Sequence, residues 1–116
     1  MRILVIDDEP LVADVMAEAL RLEDHDVVVA SSGEEGLRVI AQKPPDAVFL
    51  DIVMPGMDGI EVLRAIREGH PELPVIILSG WVSQSQPEEA RRLGATDVIS
   101  KPVPLENLTR ALRRAG

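Results

Sequence analysis

Asp7 and Asp8 stand side by side, Asp51 lies far along the chain, and Ser79 and Lys101 come later, each at the end of a short apolar run. Three carboxylates brought to one place are costly as bare charges. At an effective dielectric of 20 each pair opposes folding by roughly 4 kcal/mol at 4 Å. No Lys or Arg is adjacent to any of the three in sequence, so such a cluster must hold protons or a cation. Hard oxygen ligands at a site open to water suit Mg²⁺, which pairs carboxylates with a substrate phosphate. The hydroxyl of Ser79 and the ammonium of Lys101 would add a donor and a positive charge. Together these groups make a phosphoryl-binding set, where chemistry needs mostly positioning and neutralisation of the equatorial oxygens. Asp51, the most central acid, is the expected nucleophile.

Convergence of these residues depends on the elements that carry them. Ile3-Leu4-Val5-Ile6 reads as a first strand ending at Asp7. Pro10 comes next, where a first helical turn tolerates it. Leu11, Val12, Val15, Met16, Ala19 and Leu20 recur near period 3.6 and give a first helix. Val27 to Ala30 is a second strand. Ser32 and Glu35 form a capping box opening a second helix, with Leu37, Ile40 and Ala41 expected on its inner face. Pro44-Pro45 breaks it, and Ala47-Val48-Phe49-Leu50 is a third strand ending at Asp51. Pro55-Gly56 and Asp58-Gly59 mark a loop. A third helix carries Ile60, Leu63 and Ile66 and stops near Gly69 and Pro71. Val75 to Leu78 is a fourth strand closed by Ser79. Ser85, Pro87 and Glu88 could open a short fourth helix ended by Gly94. Val98-Ile99 is a fifth strand before Lys101-Pro102, and Leu105, Leu108 and Leu112 line a fifth helix.

Five strands alternating with five helices predict an α/β fold. The expected architecture is a flavodoxin-like three-layer sandwich with a parallel sheet of order 2-1-3-4-5. Its switch point lies between strands 1 and 3, which end in Asp7-Asp8 and Asp51, and ligands bind there, beyond the carboxyl ends of the strands. The 116 residues fit one domain, 1–116. Net charge is −8, which disfavours direct binding to nucleic acid. There is no Cys, which excludes disulfides and thiolate metal sites and makes a reducing, cytoplasmic setting the simple expectation. No apolar run approaches the roughly 20 residues that cross a bilayer, and no signal peptide is expected.

Four segments in order, Asp7-Asp8-Glu9, Asp51 to Gly59, Ser79-Gly80 and Lys101-Pro102, give the chain a close resemblance to the receiver domain of bacterial two-component response regulators over essentially its whole length. The resemblance implies phosphorylation on Asp51 by a histidine kinase or a histidine phosphotransfer protein, with Mg²⁺ as cofactor. It implies direct metal contact by Asp8 and contact through a water by Asp7. Val53 would complete the metal shell with its backbone carbonyl. Ser79 would bond the transferred phosphoryl group and Lys101 would pair with it, the Lys101-Pro102 bond being one that is usually cis. Such a domain catalyses only its own phosphorylation and dephosphorylation, and is not otherwise an enzyme. Its output is a change of the face made by helix 4, strand 5 and helix 5. The resemblance leaves open a monomer or a phosphorylation-dependent dimer, and a separate downstream protein or an output domain absent from the sequence. The abrupt end at Arg113-Arg114-Ala115-Gly116 favours a receiver cut from a larger protein.

The chain also departs from the pattern. Val98 replaces the usual aromatic three residues before the lysine, and Val103 replaces an aromatic after Lys-Pro, so an aromatic rotamer switch is absent or rebuilt. The resemblance implies that Trp81 and Val53 occupy positions that tune dephosphorylation, and their bulk is expected to slow it. The polar Ser83 to Gln86 stretch fits a mobile, shortened fourth helix or an ordinary variable loop. Blander readings stand beside the sharp ones. The three Asp could cap helix N-termini; Ser79 could be a strand-end turn residue; Lys101 could be solvated; Glu9 could modulate metal binding, with an exposed carboxylate as the better expectation; His25 and His70 have no metal-ligand spacing. The alternative function is a receiver-fold binding module that does not use phosphorylation. A flavin carrier would need a Ser/Thr/Gly-rich loop where Asp7-Asp8-Glu9 stands, and an Asp-nucleophile phosphatase would need a second Asp at Val53.

Overall fold

The computed structural model describes residues 1–51, 59–79 and 91–100, with Ser79 and residues 97–100 described by their backbone. Eight elements occur in chain order: β1 (Arg2–Ile6), α1 (Pro10–Leu22), β2 (Asp26–Ala30), α2 (Gly33–Gln42), β3 (Ala47–Asp51), α3 (Gly59–Gly69), β4 (Val75–Ser79) and β5 (Asp97–Ser100). The strands form one parallel sheet of order β2-β1-β3-β4-β5, as the alternation of apolar runs and amphipathic helices requires. The helices expected after β4 and β5 fall outside the described residues, except that Arg91 and Arg92 are helical.

A strand turns successive side chains to opposite faces, and the core divides accordingly. Ile3 and Val5, Ala47 and Phe49, and Ile76 and Leu78 pack with Ala13, Met16, Ala17 and Leu20 of α1. Leu4 and Ile6, Val48 and Leu50, and Val75 and Ile77 pack on the other face with Ile40 of α2 and Ile60, Val62, Leu63 and Ile66 of α3. All these strand residues are almost wholly buried. Each large aliphatic side chain so buried stabilises the fold by about 1.5–3 kcal/mol before entropy is counted. Continuous apolar strands therefore fit here because both sheet faces are covered.

Two helix faces differ from the sequence expectation. The inner stripe of α1 is Ala13, Met16, Ala17 and Leu20, at spacings i, i+3, i+4 and i+7, while Leu11 is 81% exposed and Val15 56%. The large side chains suggested one phase; the alanines, which let the helix lie close to the sheet, set another. In α2 the buried residues are Gly33, Gly36 and Ile40, and Ala41 is exposed.

The start of α2 is half a capping box. The Ser32 hydroxyl accepts from the Glu35 N–H at 3.1 Å. The Glu35 carboxylate reaches back past Ser32 to accept from the N–H and hydroxyl of Ser31, at 3.2 and 2.9 Å. Those bonds hold the Glu35 carboxyl below its usual range. Its contribution is therefore complete above the ordinary carboxylate pKa and is lost as pH falls through the depressed value. Ser32→Ala is expected to cost about 1 kcal/mol of unfolding free energy in urea melts, as N-cap losses do; an unchanged midpoint would show that the cap contributes nothing.

Arg67, in the last turn of α3, fastens the opposite end of the sheet. Its guanidinium donates to the carbonyl of Gly94 through Nε and Nη2, at 3.0 and 2.7 Å, and through Nη1 to His70 at 3.1 Å and Leu73 at 2.6 Å. One side chain thus ties the approach to β4 and the approach to β5 to the same helix. Burial lowers the Arg67 pKa, yet a guanidinium stays charged at any physiological pH. Arg67→Ala leaves carbonyls short of donors and is expected to cost about 2 kcal/mol. Arg67→Lys should recover only part of it, because an ammonium lacks the planar fork; recovery to the native denaturation midpoint would count against the fork geometry.

Candidate functional site

Register brings the acids together. Ile6 of β1 pairs with Leu50 of β3, so the next residues, Asp7 and Asp51, stand side by side on neighbouring strands about 4.8 Å apart. Asp7 continues the row of Ile3 and Val5, and Asp51 continues the row of Ala47 and Phe49, both on the face that α1 covers. Both acids occupy positions that the strand pattern buries, with exposures of 1% and 3%. The Asp7 N–H donates to the Ala30 carbonyl of β2 at 3.1 Å, which extends the ladder one residue past β1 and fixes the strand end. The Asp7 carboxylate accepts from the Glu9 N–H at 3.0 Å, which turns the chain toward Pro10 and α1.

Four carboxylates meet as a result. Asp7, Asp8, Glu9 and Asp51 each offer an oxygen, and these oxygens all lie within 4.8 Å of one another. Asp8 is half-buried and Glu9 exposed, so the cluster opens to solvent on one side. An octahedral ion with oxygens at 2.0–2.1 Å holds opposite ligands about 4 Å apart. The donor set therefore fits a small hard cation bound partly by direct contact and partly through water. The chemistry of these donors, all oxygen and all anionic when ionised, suits Mg²⁺ and not a soft metal.

Of the residues expected at the site, Asp7, Asp8 and Asp51 are brought together. Ser79 ends β4, one residue past the Leu78 that pairs with Asp51, and is level with Ser100 of β5. The β4 and β5 ends therefore reach the same sheet edge as the acids. Lys101 and Val53 lie outside the described residues, as do Trp81, Pro102, Val103 and the Ser83–Gln86 stretch. Glu9 is exposed as expected, but its carboxylate also belongs to the cluster. The unbroken Asp7-Asp8-Glu9 run was the available signal, since the turn after β1 folds its third acid back on the first. His25 also has a partner, the terminal amine of Met1 at 3.2 Å from Nδ1, well away from the acids in sequence. Among the described residues no helix is long and apolar enough to cross a membrane.

Comparison with known proteins identifies the family and the fold. Residues 3–113 match the family model described as the response regulator receiver domain. The chain is 38% identical over 113 residues to the response regulator MprA of Mycolicibacterium vanbaalenii, an alignment covering 97% of this chain and 49% of that protein. It thus spans about half the length of that relative. Among solved structures, the receiver domain of NtrX from Brucella abortus superposes with a TM-score of 0.92 at 38% identity, covering 97% of this chain and 96% of that one. A response regulator receiver domain protein from Clostridium thermocellum gives a TM-score of 0.94 at 34% identity, covering 98% and 92%.

Proposed function

The chain belongs to the response regulator receiver domain family, and on that basis we propose that residues 1–116 act as one receiver domain that takes a phosphoryl group onto Asp51. The observation that carries the reading is the convergence of the Asp7, Asp8, Glu9 and Asp51 oxygens within 4.8 Å at the carboxyl edge of the sheet. The donor is a phosphohistidine of a sensor kinase or phosphotransfer protein. An Asp51 carboxylate oxygen attacks phosphorus, the P–N bond breaks, an O–P bond forms, and the departing imidazole nitrogen takes up a proton. Mg²⁺ would be held by Asp8 directly and by Asp7 through a water, with Asp51 and the Val53 carbonyl as its other protein ligands. Bound there, the ion supplies positive charge against the phosphoryl oxygens. Ser79 donates to the transferred group and Lys101 pairs with it.

The chain's only chemistry on this reading is on itself, in a cytoplasmic signalling pathway. The partner surface on this reading is α1. Leu11, Val15 and Leu22, all exposed, lie along one side of the helix with Glu18 between the last two and Asp14 beside them. That is a stripe suited to an amphipathic helix of a kinase whose flanks carry Lys or Arg. The reading is tested by intact mass after incubation of the chain with a small phosphodonor. A gain of one phosphoryl group that requires Mg²⁺ is expected. No gain under any condition would replace it with a receiver fold used for binding alone.

A further inference from the structure

We infer that Gly36 is a positioning residue for the acid site, an inference that rests on the Mg²⁺-dependent reading above. Gly36 is buried in the middle of α2. A Cβ built there would lie 2.8 Å from Cγ1 of Ile6 and closer still to its Cδ1, with Cγ2 at 3.6 Å. Real Cβ atoms do not approach other carbons at such distances, so α2 reaches this depth only because the residue has no side chain.

Ile6 is the contact that matters because of its place at the end of its strand. It is fully buried in the core cluster with Leu4, Ile40, Leu50 and Leu63, so any swing of its side chain presses on packed neighbours. It is the last residue of β1 and directly precedes Asp7. Its register partner on β3 is Leu50, which directly precedes Asp51. A side chain at position 36 must therefore lift α2 or press on the strand end that carries Asp7. Only the second motion changes the acid cluster, and the bond from the Asp7 N–H to the Ala30 carbonyl shows how closely that strand end is held. The Ile6–Gly36 pair is a size match: a large residue under the site and none on the helix above it.

The test is Mg²⁺ titration by calorimetry on the native chain, Gly36→Ala, Ile6→Ala and the double variant, with amide NMR shifts of Asp7 and Asp8 tracked in each. Gly36→Ala is expected to bind Mg²⁺ about tenfold more weakly, the scale on which residues supporting metal ligands act, and to shift both amides before metal is added. Ile6→Ala removes both the Cγ1 and the Cδ1 that crowd the new methyl, so the double variant should recover affinity to within about twofold of the native chain. A residue important only for stability would lower the melting temperature of Gly36→Ala and leave its Mg²⁺ affinity unchanged, and that result overturns the inference. Should Gly36→Ala fail to fold, a folded double variant with weakened affinity overturns it equally. Absence of Mg²⁺ binding by the native chain would instead remove the reading on which the inference stands.

Discussion

Asp51→Asn takes up no phosphoryl group from a small phosphodonor in the presence of Mg²⁺, under conditions where the native chain gains one. The expectation comes from position. Asp51 ends the central strand of the sheet, with β1 on one side and β4 on the other, and its carboxylate is one of the four that converge. Asn keeps the shape and the strand-end backbone but has no anionic oxygen, so an acyl phosphate cannot form there. Asp8 and Glu9 are more exposed and offer carboxylates of their own. A residual mass gain in the variant would therefore show a second acid acting as acceptor and would break the assignment of Asp51. Intact mass separates these outcomes directly, and circular dichroism of the variant shows whether the fold is kept. The loss should be complete to the limit of detection, since with the nucleophile removed no group remains there to form the bond to phosphorus.

Mg²⁺ at about one hundred times its dissociation constant should stabilise the native chain by about 2.7 kcal/mol, through binding the folded state alone. For a domain of this size that corresponds to a rise in melting temperature of about 10 °C. The rise should nearly vanish in Asp8→Asn. The reason is electrostatic. Charges no more than 4.8 Å apart repel by about 3.5 kcal/mol or more at an effective dielectric of 20. Solvent on the open side screens Asp8 and Glu9 and lessens this for their pairs. A divalent ion converts that repulsion into attraction, whereas Asn removes one of the charges that hold the ion. Without metal the same substitution relieves part of the repulsion, so metal-free Asp8→Asn should melt no lower than the native chain. Differential scanning calorimetry with and without Mg²⁺ checks both statements. An equal metal-induced rise in the native chain and in Asp8→Asn would place the ion elsewhere.

Residue order alone was enough to read the class of fold and three of the four acids of the candidate site, Asp7, Asp8 and Asp51. Apolar runs of strand length, separated by amphipathic stretches, admit a parallel sheet with helices on both faces and little else. The runs end in Asp7, Asp51 and Ser79, and a parallel sheet aligns such ends along one edge. That edge was legible because strand order derives from right-handed crossovers, a rule of chirality and not of contact. The resemblance to receiver domains, carried by four short segments, was likewise a matter of residue order, and the family match over residues 3–113 agrees with it.

Packing in three dimensions resolved the choices that periodicity leaves degenerate. The apolar residues of α1 are dense enough to suggest more than one inward face, and packing chose Ala13, Met16, Ala17 and Leu20 while leaving Leu11 and Val15 in water. A side chain's hydrophobicity says that burial would stabilise it, not that the sheet lies on its side of the helix. The part played by Glu9 depended on a turn after β1 that brings an exposed carboxylate back to two buried ones. In sequence Arg67 is a basic residue near a helix end; its carbonyl partners come from the approaches to two strands, and Gly94 is 27 residues away. Gly36 carried no signal at all, because what distinguishes it is the distance to Ile6 on another element. Local pattern fixes which elements form and where their ends fall, since propensity and periodicity act over a few residues. Close approach, shared carbonyls and the clustering of like charges arise only when elements distant in sequence are packed against each other.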